Sequence, residues 1–96
     1  MTIRMMARII ANAHSTVALG DVLKVLAEAT RTEHGCVSYE LFQNADNAAE
    51  FVTVEDWESD AAANAHMATR HVKEAIAKAM PLLGQAPAIH RFIKIG

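Results

Sequence analysis

Apolar and polar positions change period several times along the chain, and the changes mark out its elements. Residues 3–11 (IRMMARIIA) alternate and predict a strand. Asn12 to Ser15 is polar punctuation. Over 16–34, Leu19, Val22, Leu23, Leu26, Ala29 and Thr30 recur at helical spacing, with Ser15 or Thr16 as N-cap and Gly35 as the stop. Residues 36–43 (CVSYELFQ) and 50–58 (EFVTVEDWE) alternate on either side of Asn44-Ala45-Asp46-Asn47, which predicts an antiparallel hairpin. Ser59 or Asp60 opens an Ala-rich helix over 60–68 that breaks around Thr69. A second helical stretch, 70–80, carries Val72, Ala75, Ile76, Ala79 and Met80 on one face and ends before Pro81 and Gly84. Residues 88–95 (AIHRFIKI) predict the last strand.

The order is β-α-β-β-α-β, an α+β, ferredoxin-like arrangement of four antiparallel strands with helices on one face. A chain of 96 residues predicts a single domain spanning 1–96. Alternation divides the third strand into two faces. Val52 and Val54 are assigned to the helix-covered side, so Phe51, Thr53, Glu55 and Trp57 point the other way. Tyr39 takes the opposite parity from Cys36 and Phe42. A sheet face carrying Trp, Tyr and Ile does not stay open to water in a protein this small, and a symmetric homodimer is the common solution.

Composition narrows the possible functions. The chain is 52% hydrophobic, yet no apolar run approaches the ~20 residues of a membrane helix, and its start lacks the apolar core of a signal peptide. No membrane association and a cytoplasmic location are therefore expected. Net charge is −2 with both signs interspersed, so no basic stripe exists to neutralise phosphates, and nucleic acid is not an expected partner. One cysteine, Cys36, excludes an internal disulfide and reads as a small buried residue rather than a nucleophile.

The polar and aromatic residues that can do chemistry concentrate between Glu33 and His71. His66 and His71 titrate near neutrality and are the candidate bases. Tyr39 is a candidate donor to a substrate oxygen, Trp57 a surface for a planar ring, and Glu55 a group that orients a histidine. Each has a plain alternative: Trp57 and Tyr39 as packing residues, Glu55 as the partner of Arg91 or Arg8, and the two histidines as cap or surface residues. Five residues apart, His66 and His71 lie about 140° apart on a continuous helix, and only a break near Thr69 brings them together. Their spacing is not that of a known zinc motif, and no metal is expected. His14, His34 and His90 carry no such signal. The methionines read as gap-fillers of core or pocket walls.

The run E-x-G-C-x-x-Y at Glu33 to Tyr39, the hairpin ending E-x-W at Glu55 to Trp57, and A-x-A-H-x-x-T-x-H at Ala63 to His71 together resemble the antibiotic biosynthesis monooxygenase family, in particular its small quinol monooxygenase-like branch. The resemblance covers nearly the whole chain. It implies a dimeric α+β barrel with a pocket between sheet and helices in each subunit. It further implies oxygenation of a quinol or polycyclic phenol by O₂ without metal, flavin or haem, with His66 and His71 as catalytic residues and Tyr39, Glu55, Trp57 and Arg70 around the substrate. The chain departs from the pattern at Arg70, where quinol-type sequences carry Pro. Its first strand also lacks the Asn of haem-degrading relatives, and Asn12 falls too late to replace it. Relatives of other activity keep two alternatives open, an isomerase of a small dione-type metabolite and a ligand-binding module without turnover. A converging Arg70 or Arg91 in a small pocket would favour the isomerase; a large, mostly apolar pocket would favour the monooxygenase.

Overall fold

A computed structural model describes residues 2–96. Its elements are β1 (Ile3–Ile10), α1 (Thr16–Thr30), β2 (Cys36–Asn44), β3 (Asn47–Trp57), α2 (Asp60–Met67), α3 (Arg70–Ala79), a 3₁₀ turn (Met80–Leu82) and β4 (Ala88–Phe92). The strands form one antiparallel sheet in the order β2-β3-β1-β4, the ferredoxin-like α+β topology expected from the sequence. Among the described residues no helix is long and apolar enough to cross a membrane.

The helices cover the face that carries Met5, Ala7 and Ile9 of β1 and Phe51, Thr53, Glu55 and Trp57 of β3, all of them buried. This reverses the face assignment made from hydropathy. Val52 and Val54 lie half-buried on the uncovered side, beside Met6 and Arg8 of β1. The reversal has a chemical cause. Thr53 and Glu55 tolerate burial because the Thr53 hydroxyl donates to Glu55 Oε2 at 2.7 Å and Trp57 Nε1 donates to Glu55 Oε1 at 3.1 Å. A satisfied polar pair can occupy a core position that polarity alone would assign to solvent.

A second departure lies in β2. Cys36 pairs with Trp57, but Ser38 pairs with the adjacent Asp56, so Val37 is an extra residue in the strand. This bulge resets the alternation. Cys36 therefore packs in the same cluster as Tyr39, Trp57, Met5 and Ala63, while Phe42 faces the uncovered side opposite Val52. A second cluster, built on Leu19, Leu23, Ile9, Phe51 and Ala79, fills the space under α1 and α3.

The first helix ends four residues earlier than its periodicity suggests. Beyond Thr30 the backbone tightens into shorter turns, with Thr32 N bonding Ala29 O at 3.3 Å and Glu33 N bonding Thr30 O at 3.0 Å. Gly35 follows at φ 87°. Its carbonyl accepts from Glu58 N at 2.9 Å, and a Cβ there would sit 2.7 Å from Ala62 Cβ. The absence of a side chain thus lets the Glu33 turn press against α2.

Candidate functional site

Two short helices and one turn bring the candidate groups together. Ser59 caps α2, its hydroxyl accepting from Ala62 N at 3.1 Å. Thr69 breaks the helical run, as the sequence suggested: its hydroxyl donates to His66 O at 2.7 Å and accepts from Val72 N at 3.4 Å as the N-cap of α3. The break swings His71 round to the His66 side. Between the two rings lies Glu33, whose Oε2 is 2.6 Å from His66 Nδ1 and 2.7 Å from His71 Nε2.

An ionised Glu33 only accepts, so both ring nitrogens that face it carry hydrogen. In a neutral His66 this leaves Nε2 as the basic atom. That nitrogen is 3.8 Å from Glu55 Oε1. The Trp57 ring stacks at a tilt over His66, with centroids 4.6 Å apart, and the Tyr39 ring lies 6.0 Å away. Burial and, next, the Glu55 charge push the Tyr39 hydroxyl well above its ordinary pKa; a bond with Thr53 works weakly against them. Burial also raises the Glu55 carboxyl, opposed by its bonds to Thr53 and Trp57 and by His66.

Beside this network lies a cavity of about 210 Å³. Its polar wall consists of Tyr39, Thr53, Glu55 and His66. The rest is apolar, from Met5 and Ala7 of β1, Leu23 and Leu26 of α1, Val72 and Ile76 of α3, and Ile89 of β4. Among the described residues no lysine or arginine lines it.

The placement sorts the candidates. His66, Tyr39 and Glu55 line the cavity together. Trp57 is fully buried, with its ring against His66, and presents no surface to a ligand. His71, half-buried, reaches the network through Glu33 without lining the cavity. Arg70 points to solvent, 92% exposed, and pairs with Glu74 at 3.1 Å. The suggested arginine partners of Glu55 are engaged elsewhere: Arg8 pairs with Glu50, and Arg91 bonds Asp60 at 3.0 Å and Asn64 at 2.7 Å. Nothing in the sequence pattern marks Glu33 as a site residue, although it opens the E-x-G-C-x-x-Y run. Its role depends on the turn after α1, which helical periodicity does not reveal.

Several solved structures share this fold. Rv0793 from Mycobacterium tuberculosis is 27% identical with a TM-score of 0.92, covering 100% of this chain and 97% of its own. PA3566 from Pseudomonas aeruginosa is 28% identical with a TM-score of 0.92, covering 99% and 95%. A structure described as an antibiotic biosynthesis monooxygenase, 22% identical with a TM-score of 0.92 over 98% and 99%, speaks to the fold alone. No curated protein matches. The family model for antibiotic biosynthesis monooxygenases matches residues 2–78, four-fifths of the sequence and every residue of the Glu33–His66–His71 network, and the chain belongs to that family.

Proposed function

We propose that this protein is a cofactor-independent monooxygenase acting on a quinol or phenol, with His66 as the base. The observation that carries the reading is the clamp on His66. Glu33 holds its Nδ1–H, so Nε2 is left to take a proton in a cavity walled otherwise by apolar side chains. Deprotonation makes the ring electron-rich enough to reduce O₂. For a quinol, one oxygen atom then enters the ring and the other leaves as water, giving a hydroxyquinone. Glu55 stabilises the imidazolium from 3.8 Å, and Tyr39, held neutral by burial, donates to the developing oxyanion.

The cavity limits the substrate. Its apolar lining is what the monooxygenase reading expects, but its volume of about 210 Å³ is not: it falls below the roughly 300–1,000 Å³ of drug-sized ligand sites, which favours one or two rings over a tetracycle. Its lining without lysine or arginine favours a neutral substrate. The same feature counts against an isomerase of a small dione-type metabolite, since Arg70 and Arg91, whose convergence would have favoured it, are both committed elsewhere.

The test is O₂ uptake with hydroquinones, naphthoquinols and anthrones. Uptake above the autoxidation control is expected, reduced about 10²–10⁴-fold in His66→Ala. Uptake unchanged by His66→Ala would remove that residue as the base. No uptake with any of the panel, together with saturable binding of a naphthoquinol, would favour the binding module instead.

A further inference from the structure

We propose that Glu33, His66 and His71 form a binding site for a divalent transition-metal ion of the zinc type. One ligand atom from each residue lies within 4.8 Å of the others, and the three come from the turn after α1, from α2 and from α3. The spacing of the two histidines in sequence gave no hint of this. Glu33 supplies the third ligand from 33 residues before His66, which no local motif encodes.

Direction matters more than proximity. His66 Nδ1 and His71 Nε2 both aim at a single point, now occupied by Glu33 Oε2 at 2.6 and 2.7 Å. Once these nitrogens give up their protons, their lone pairs converge on that point. An ion bound there at about 2.0–2.2 Å from each ligand requires neighbouring ligands roughly 3.4 Å apart in a tetrahedron. With the ion in the place now held by Oε2, the Glu33 carboxylate must withdraw by about 2 Å and the two nitrogens close in by about 0.5 Å; Glu33 sits on a turn rather than inside a helix.

The surroundings suit such an ion. Metal-bound histidines commonly have a carboxylate near their other nitrogen; here Glu55 Oε1 lies 3.8 Å from His66 Nε2, an ion-pair distance and not a hydrogen bond. Among the described residues the ion-pair partners of Glu33 are the two histidines, so a dication would meet carboxylates that no lysine or arginine neutralises. The His71 side chain is 30% exposed, which leaves a route from solvent and room for a water as fourth ligand. Two nitrogens and one oxygen select zinc, cobalt or nickel over magnesium or calcium. Metal on Nδ1 places the hydrogen on Nε2, so if the proposed base is right, occupation silences it. The site itself does not depend on that reading.

Cobalt(II) provides the readout. Untagged protein, stripped with a chelator, is titrated with Co²⁺ at neutral pH and followed through the visible d–d bands of four-coordinate cobalt. Bands that saturate at one equivalent are expected, lost in His71→Ala and in Glu33→Gln and displaced by Zn²⁺. Proton NMR of the wild type assigns the ligands without any variant: the ring signals of His66 and His71 broaden, and those of His14, His34 and His90 do not. Absence of the bands, their survival in both variants, or broadening confined to the other histidines would overturn the proposal. Neither readout requires turnover, so an enzyme inactive towards every quinol leaves this test intact.

Discussion

At the scale of single residues, Glu55 decides the character of the site. It is a carboxylate in the core, tied to Thr53 and Trp57, with its pKa raised chiefly by burial. A raised carboxyl binds its proton more tightly folded than unfolded. Its contribution to stability is therefore complete below the ordinary value of 4.5 and is lost as pH rises through the folded value. Glu55→Gln removes that dependence and keeps one acceptor oxygen, the other position becoming an amide NH₂ that only donates. The stability of Glu55→Gln relative to wild type, from urea unfolding at a series of pH values, should rise with pH across this window and then level off. Asp56 and Glu50 are shifted down, first by their bonds to Arg4 and Asn44 respectively, and weaken both proteins alike as pH falls, so they cancel in the comparison. A difference that stays flat would mean that burial does not control Glu55. Trp57→Phe removes the Nε1 donor and should cost about 1–3 kcal/mol, read from the same unfolding curves. This row of side chains also shows where hydropathy misleads. Val52 and Val54 look like the core of β3, yet the buried face belongs to a threonine and a glutamate that satisfy each other.

At the scale of elements, the site depends on two joints. Thr69 both ends α2 and starts α3, so it sets the angle that brings His71 to Glu33. Thr69→Ala should lower stability by about 0.5–2 kcal/mol, the usual cost of a lost N-cap. It should also weaken the coupling of His71 to His66 through Glu33, visible as a change in the chemical shifts of the His71 ring protons. Gly35 is the other joint. Its positive φ and the 2.7 Å approach to Ala62 mean that Gly35→Ala strains the backbone and pushes the Glu33 turn away from α2. The backbone part alone should cost about 1–2 kcal/mol, measurable by thermal unfolding, and O₂ uptake should fall with it. Wild-type stability in Gly35→Ala would show that the turn relaxes freely. The helix break at Thr69 and the positive-φ turn at Gly35 are legible in the sequence, because caps and such glycines have local signatures, but Gly35 lies beyond the end of α1, which is capped by Arg31, and does not stop it. The early end of α1 is not legible, because Thr30 and its neighbours continue the helical pattern while the backbone has already turned. Glu33 is hidden for the same reason. The bulge at Val37 is hidden because alternation by itself cannot show where a strand gains a residue.

At the scale of the whole molecule, the reversed faces alter the case for assembly without removing it. Tyr39 and Trp57, which argued for a second copy, are covered by the chain's own helices. The uncovered face still carries Met6, Ile10, Val52 and Val54, half-buried, between Phe42 at 51% and Phe92 at 48% exposure. Ion pairs cross the same face, Arg4 with Asp56 and Arg8 with Glu50, so its charges are already matched and add little repulsion to a self-complementary contact. We propose that two copies meet across this surface, in keeping with the dimeric barrel that the family resemblance implies. Light scattering should then give about 21 kDa, twice the 10.4 kDa of one chain. Val54→Glu places a charge in the middle of the contact and should yield the monomer. The cavity lies on the helix-covered side of the sheet, so the monomeric variant should keep the Glu33–His66–His71 geometry and its cobalt spectrum. Wild-type protein that stays monomeric at high micromolar concentration would refute the dimer. A monomeric Val54→Glu that loses the spectrum would instead show that assembly helps to hold the site in shape.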